Sequence, residues 1–372
     1  MAEQHKARRD LYADVTNQII AALEAGTPPW RRPWDPSKAG SFGGPINGTT
    51  NRPYRGINTL LLGMSPLSFG SGDPRWLTFK QAQEKGWMVR KGSKASTVVF
   101  FKKLELGDRA DGNADERERR RIVPVLRSYP VFHASQVEGI SDYVPPTPGE
   151  VSWRTPEAAA TILAASGVPV RTGGDRAFYS PSTDHIQLPT TSAFHGPDEW
   201  AATALHELGH ASGHPSRLNR DLRGRFGSNA YAMEELRAEI ASAMMAAELG
   251  IPSDIPQHAS YVASWLEVLR HDRRAIFGAA SDAQKIADWC LERHPDYALA
   301  MEYESLADEV AEPPVAEPSP PPRPAIPAAV AALGPMPRHI ARKLNPELPV
   351  TDLPMTPTPA LEEAPSWGYR PR

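Results

Sequence analysis

The chain has 372 residues, more than one ordinary hydrophobic core organises, so two domains and a tail are expected. Hydrophobic residues make up 40% and charged residues 23%, the balance of a soluble globular protein rather than a disordered or membrane one. The single cysteine, Cys290, excludes an intrachain disulfide and a cysteine-rich zinc module. No apolar run approaches the roughly 20 residues of a membrane helix. No apolar segment follows MAEQHKARRD as a signal peptide requires, so no membrane association and a cytoplasmic location are expected. The net charge of −3 hides an asymmetry: residues 1–107 hold 16 Lys/Arg against 8 Asp/Glu, leaving the rest of the chain acidic. A basic front half on an acidic protein points to an anionic polymer as partner.

In chain order, RDLYADVTNQIIAALEA (9–25) repeats Leu11, Val15, Ile19 and Leu23 at helical spacing, and Gly26 with Pro28-Pro29 stops it. PPWRRPWDPS and SFGGPINGTTNRPYRG read as loops. A short helix is expected over 58–62. TFKQAQEKG (78–86) reads as a helix capped by Thr78 and ended by Gly86. STVVFFKKLEL (96–106) is β-branched and aromatic, hence a strand. A charged loop (107–121) separates it from its partner strand, VLRSYPVFHAS (125–135). The first domain, 1–145, is therefore α+β.

After the proline-rich YVPPTPGE, a mainly helical second domain is expected over 150–308. TPEAAATILAASG (155–167) is a helix with Thr155 as N-cap, and AFYSPSTDHIQLP (177–189) forms two short strands. GPDEWAATALHELGHASG (196–213) and MEELRAEIASAMMAAELG (233–250) are helices, and two more span 260–270 and 283–293. The tail, 309–372, is too proline-rich to build a core and is expected to be disordered.

LHELGHASGH (205–214) carries the chemistry. On a helix, His206 and His210 share a face and can put two imidazoles on one Zn²⁺, while Glu207 can reach the metal's water as a general base. Three histidines on one straight stripe, out to His214, would spread over about 12 Å, too far for one ion. The third ligand is therefore sought on the next helix, where Glu235 and Glu239 stand one turn apart. Glu235 is assigned to the metal. Glu239 and His214 are assigned to the surround, orienting the ligands. Glu234, about 100° round the helix, is expected to face solvent. Tyr179, Tyr231, Tyr261 and His258 remain unranked as oxyanion stabilisers. In the front domain, aromatics interleave with cations: Trp30, Arg31, Arg32 and Trp34, then Arg52, Tyr54 and Arg55, then Trp76 and Lys80, then Arg90, Lys91 and Lys94. This is the composition of a groove for single-stranded DNA, with stacking on rings and phosphates on cations.

These stretches together resemble the ArdC-type antirestriction proteins of conjugative plasmids and phages. The resemblance covers about 9–293 and rests on DVTNQIIAALEAGTPPWRRPW, NRPYRGIN, WLTFKQAQEKGWMVRKGSK, FYSPSTDHIQLP, ALHELGHASGHPSRLNRD and EELRAEIASAMM. Related front domains occur in some plasmid primases, although no primase motif is present. The resemblance implies a single-stranded-DNA-binding N-terminal domain, a zincin-like metallopeptidase C-terminal domain and protection of incoming DNA from restriction. HELGH matches the family's HExxH, so His206, Glu207 and His210 carry over, and GHPSRL makes His214 a family feature. The family often has an aromatic after the second histidine, where this chain has Ala211-Ser212. Two functions are expected to compete: a zinc peptidase brought to a host protein by DNA binding, and a nonenzymatic DNA-coating protein with a structural zinc.

Overall fold

The structure is a computed structural model that describes residues 10–30, 44–70, 72–106, 121–145, 151–224, 228–251 and 261–310. Most of the charged loop and nearly all of the tail therefore lie outside the described residues, as do Arg31, Arg32, Trp34 and His258.

Helix α1 (Leu11–Glu24) begins at Asp10, whose carboxylate accepts the backbone N–H groups of Tyr12 and Ala13 at 3.1 and 3.3 Å. Its stripe of Val15, Ile19 and Leu23 is buried, as the spacing predicts. There follow β1 (Ile46–Asn47), α2 (Ile57–Gly63), α3 (Leu67–Gly70), β2 (Arg75–Leu77), α4 (Phe79–Glu84), β3 (Met88–Val89), β4 (Ser96–Leu106), β5 (Arg121–His133) and β6 (Val137–Glu138). Thr78 and Gln81 close a reciprocal capping box on α4. Strands β4 and β5 form the expected antiparallel pair, with Ser96 opposite Val131 and Leu106 opposite Arg121. They join β1 and β2 in a sheet of order β1-β2-β5-β4, while β3 pairs with β6. Strands β1 and β2 escape sequence analysis because two or three residues are too few to show alternation.

The second half contains α5 (Pro156–Ala165), β7 (Val170–Thr172), β8 (Phe178–Ser180), β9 (His185–Leu188), α6 (Pro197–Ala211), α7 (Asn229–Leu249), α8 (Val262–His271), α9 (Ala275–Leu291) and α10 (Pro295–Val310). The three strands form a sheet of order β7-β9-β8. Helix α7 starts at Ser228, whose hydroxyl accepts the Tyr231 N–H at 3.2 Å, and ends at Gly250 in the left-handed conformation. It packs against α6 and α9. Where α6 passes α7 the fit is close: a Cβ built on Gly209 would meet the Ala238 Cα at 3.9 Å, an ordinary van der Waals contact. That proximity brings the histidines of α6 within reach of the acids on α7. No described helix is long and apolar enough to cross a membrane.

The two halves share one core. Val15, Ile19, Leu23 and Trp30 belong to the same buried cluster as Leu236, Trp265, Ile276 and Ala280. The Trp30 and Trp265 rings meet edge-on at 5.6 Å, and Tyr12 meets Phe277 at 4.9 Å. The Thr16 hydroxyl donates to the Arg273 carbonyl at 2.7 Å, and the Gly56 N–H donates to Gln284 at 2.9 Å. Arg273 pairs with Asp10, Arg270 with Glu24 and Arg55 with Asp288. An amphipathic helix on a small sheet must cover its apolar stripe, and here α8 and α9 provide the cover.

Candidate metal centre and DNA-facing residues

The HELGH segment occupies the last turns of α6, with His206 at 6% and Glu207 at 8% exposure. The two imidazoles face each other through their Nε2 atoms at 3.2 Å. Glu235 comes from α7 to meet both: its Oε2 is 3.7 Å from His206 Nε2 and its Oε1 is 3.6 Å from His210 Nε2. Ligand atoms of these three residues all lie within 4.8 Å of one another. Two imidazoles and one carboxylate, converging in a largely buried site, suit a divalent cation that keeps an open position. Burial works against the charge on Glu235, yet His206 and His210 outweigh it and hold its carboxyl far below the usual range. Burial likewise disfavours the His210 imidazolium, but Glu234 and Glu235 outweigh it and push its pKa up to about 10. A cation binding here therefore displaces a proton.

The structure corrects one expectation around these ligands. Glu234 does not face solvent. It is 6% exposed, and its Oε1 lies 3.5 Å from His210 Nδ1 and 2.7 Å from Arg220 Nη2. Glu234 is thus a carboxylate at the outer ring nitrogen of His210. Glu239 is buried one turn beyond Glu235. The helical wheel misled because α7 is buried nearly all round, with Ala232, Glu234, Glu235, Ala238, Glu239 and Ala241 all enclosed. The run of small residues in RAEIASAMMAAELG was the available signal for such a central helix. Glu234→Gln is expected to weaken metal affinity by about 10- to 100-fold, read by competition with a chelating dye, because a carboxylate there fixes the imidazole tautomer that leaves Nε2 free for a metal.

His214 lies just beyond the end of α6. The Ser212 hydroxyl donates to the Gly209 carbonyl at 2.6 Å, and α6 ends in a run of turns. These carry His214 to Asp184, 3.9 Å from its Nε2, while its Nδ1 meets the Ser216 hydroxyl at 2.8 Å. Asp184 also accepts from the Tyr179 hydroxyl at 2.8 Å and from Arg217 at 2.6 Å. His214 and Tyr179 thus belong to a network that braces the β8–β9 turn. Of the described tyrosines, Tyr231 stands at the centre. Burial, Tyr261 and Glu235 all push its phenol well above the usual range, so it keeps its proton.

Several assigned DNA-facing residues are engaged elsewhere. Trp30 is 4% exposed and Trp76 fully buried, the latter edge-on to His133 at 4.8 Å. Neither ring is open to a base, because a small domain poor in Leu and Ile uses tryptophan as core. Tyr54 is half-buried against the cluster of Leu62, Trp76, Val98 and Val131. Arg55 is paired with Asp288. Arg52, Lys80, Arg90, Lys91 and Lys94 are exposed, Lys80 at 3.5 Å from Glu84 and Arg90 at 3.4 Å from Glu138. Phe100 and Tyr129, not singled out by the sequence, are exposed neighbours on β4 and β5.

A helix bearing HExxH, an acid from the next helix and a small flanking sheet define a zincin-like domain. Residues 157–282 match the zincin-like metallopeptidase family, and residues 9–132 match the N-terminal domain of anti-restriction factor ArdC. The crystal structure of the antirestriction ArdC protein from plasmid R388 in its metal-free form is 38% identical. It superposes with a TM-score of 0.65, over 77% of this chain and 98% of that one. Its Mn(II)-bound form gives 39% and 0.62, over 77% and 99% of the two chains. The chain belongs to the ArdC antirestriction family. The uncharacterized protein y4eC of Sinorhizobium fredii is 44% identical over 284 residues, which is 75% of this chain and 91% of y4eC. A DNA primase TraC from Escherichia coli is 44% identical over 302 residues, 77% of this chain but 27% of the primase. The chain thus spans about a quarter of the length of that curated relative.

Proposed function

We propose that this chain protects incoming DNA from restriction by binding single-stranded DNA and that it carries a zinc-dependent peptidase site. The observation that carries the reading is the convergence of His206, His210 and Glu235, with Glu207 adjoining the first histidine. His206 and His210 would hold the cation through Nε2, and Glu235 through a carboxylate oxygen. When bound, zinc supplies Lewis acidity that polarises a carbonyl and acidifies water. Glu207 takes the proton of the attacking water and passes it to the leaving amine. Tyr231, kept protonated, donates a hydrogen bond to the carbonyl oxygen as negative charge develops there. The ligand set suits zinc, and the Mn(II)-bound relative supports a divalent cation. Exposed Arg52, Lys80, Arg90, Lys91 and Lys94 supply the cations for a strand, and the peptidase substrate is a host protein met there.

A structural metal needs no general base, so Glu207 separates this reading from a nonenzymatic coat. Glutamine keeps the shape but cannot take a proton. Glu207→Gln is expected to retain metal and DNA binding while abolishing cleavage of host proteins, read by mass spectrometry of a lysate incubated with either form. Loss of protection in a conjugation assay with this variant ties hydrolysis to the biology. Full protection leaves DNA coating as the function.

A further inference from the structure

Strands β4 and β5 leave the core as a two-stranded arm. One face of it carries Val98, Phe100 and Lys102 from β4, and Val131, Tyr129 and Arg127 from β5. The register sets Val98 opposite Tyr129 and Phe100 opposite Arg127. Side chains two apart on a strand share a face, so these six form one strip. At its inner end, Val98 and Val131 are buried with Leu62 and Trp76. One step farther out, Phe100 and Tyr129 are 47% and 41% exposed. Their rings are diagonal neighbours with centroids 5.8 Å apart. Lys102 and Arg127 are exposed beside them, and the stretches 96–102 and 125–131 contain no acidic residue.

We infer that this face seats single-stranded nucleic acid, with unpaired bases stacking on Phe100 and Tyr129 and phosphates meeting Arg127 and Lys102. This names the contact surface for the single-strand binding proposed above and rests on that reading. Two aromatic rings held in water add little to folding, but every unpaired base has a face to stack on them. In a duplex those faces are already stacked, so the strip discriminates by strandedness. The flanking cations, unopposed by any acid on the strip, select a polyanion over an apolar protein partner.

The test uses the full chain and a dye-labelled oligothymidylate followed by fluorescence anisotropy. The double variant Phe100→Ala/Tyr129→Ala is expected to bind about tenfold more weakly or worse. Tyr129→Phe keeps wild-type affinity, because the ring suffices. Arg127→Ala lowers the steepness of log affinity against log salt by about 0.7, the contribution of one phosphate contact. Wild-type metal affinity in the double variant shows that its fold is intact. Wild-type binding of the oligomer by the double variant overturns the surface and leaves the single-strand reading standing. Absence of oligomer binding by the wild type overturns that reading itself.

Discussion

Trp30→Ala is expected to cost about 3–5 kcal/mol of stability, the range for emptying a buried tryptophan site. Trp30 is 4% exposed and lies edge-on to Trp265, itself 1% exposed. The Trp265 indole N–H donates to the Ala232 carbonyl at 2.8 Å, in the first turns of the helix that carries Tyr231 and Glu235. A cavity at Trp30 therefore loosens Trp265, the side chain that bonds the helix completing the metal centre, and so couples the front half of the chain to that helix through packing. Urea unfolding should show a lower midpoint at unchanged slope. A change within about 0.5 kcal/mol, the usual cost of a surface substitution, would contradict the burial.

Arg220→Ala is expected to cost about 3 kcal/mol, because it leaves a buried carboxylate without its main partner. Arg220 donates to Glu234 at 2.7 Å, to the Gly209 carbonyl at 2.8 Å and to the Ser212 hydroxyl at 2.8 Å. It thereby ties the end of α6 to α7. Gly213 leaves room for the guanidinium: a Cβ there would lie 3.0 Å from its Nη2. His210 and Arg237, the latter at 3.7 Å, still face Glu234 and keep the cost at the low end. Adding Glu234→Gln to Arg220→Ala should recover part of the loss, since a neutral amide is cheaper to bury than an unpaired charge. If the double variant is no more stable than Arg220→Ala, the loss has another origin.

What the sequence revealed follows from what is local. The i, i+4 histidines, the N-cap at Thr78 and the β-branched run of β4 are written within a few residues, and each stands where expected. The exclusion of His214 came from helical rise alone, and the carboxylate of the next helix takes the third place in the cluster. What escaped depends on partners far along the chain. Trp30 and Trp76 read as a binding surface beside arginines, but α8 and the sheet bury them. Glu234 read as solvated on a single-helix wheel, but α7 has neighbours on more than one side. Phe100 and Tyr129 read as ordinary strand residues, because only the register shows that their face emerges from the core.

The most direct test of the central claim is the metal stoichiometry of two purified variants, measured by elemental analysis after equilibration with zinc. About one ion per chain is expected for the wild type and for His214→Ala, and almost none for Glu235→Ala, because among the described residues Glu235 is the one that shares the cluster with His206 and His210. A full complement of zinc in Glu235→Ala together with its loss in His214→Ala would contradict it.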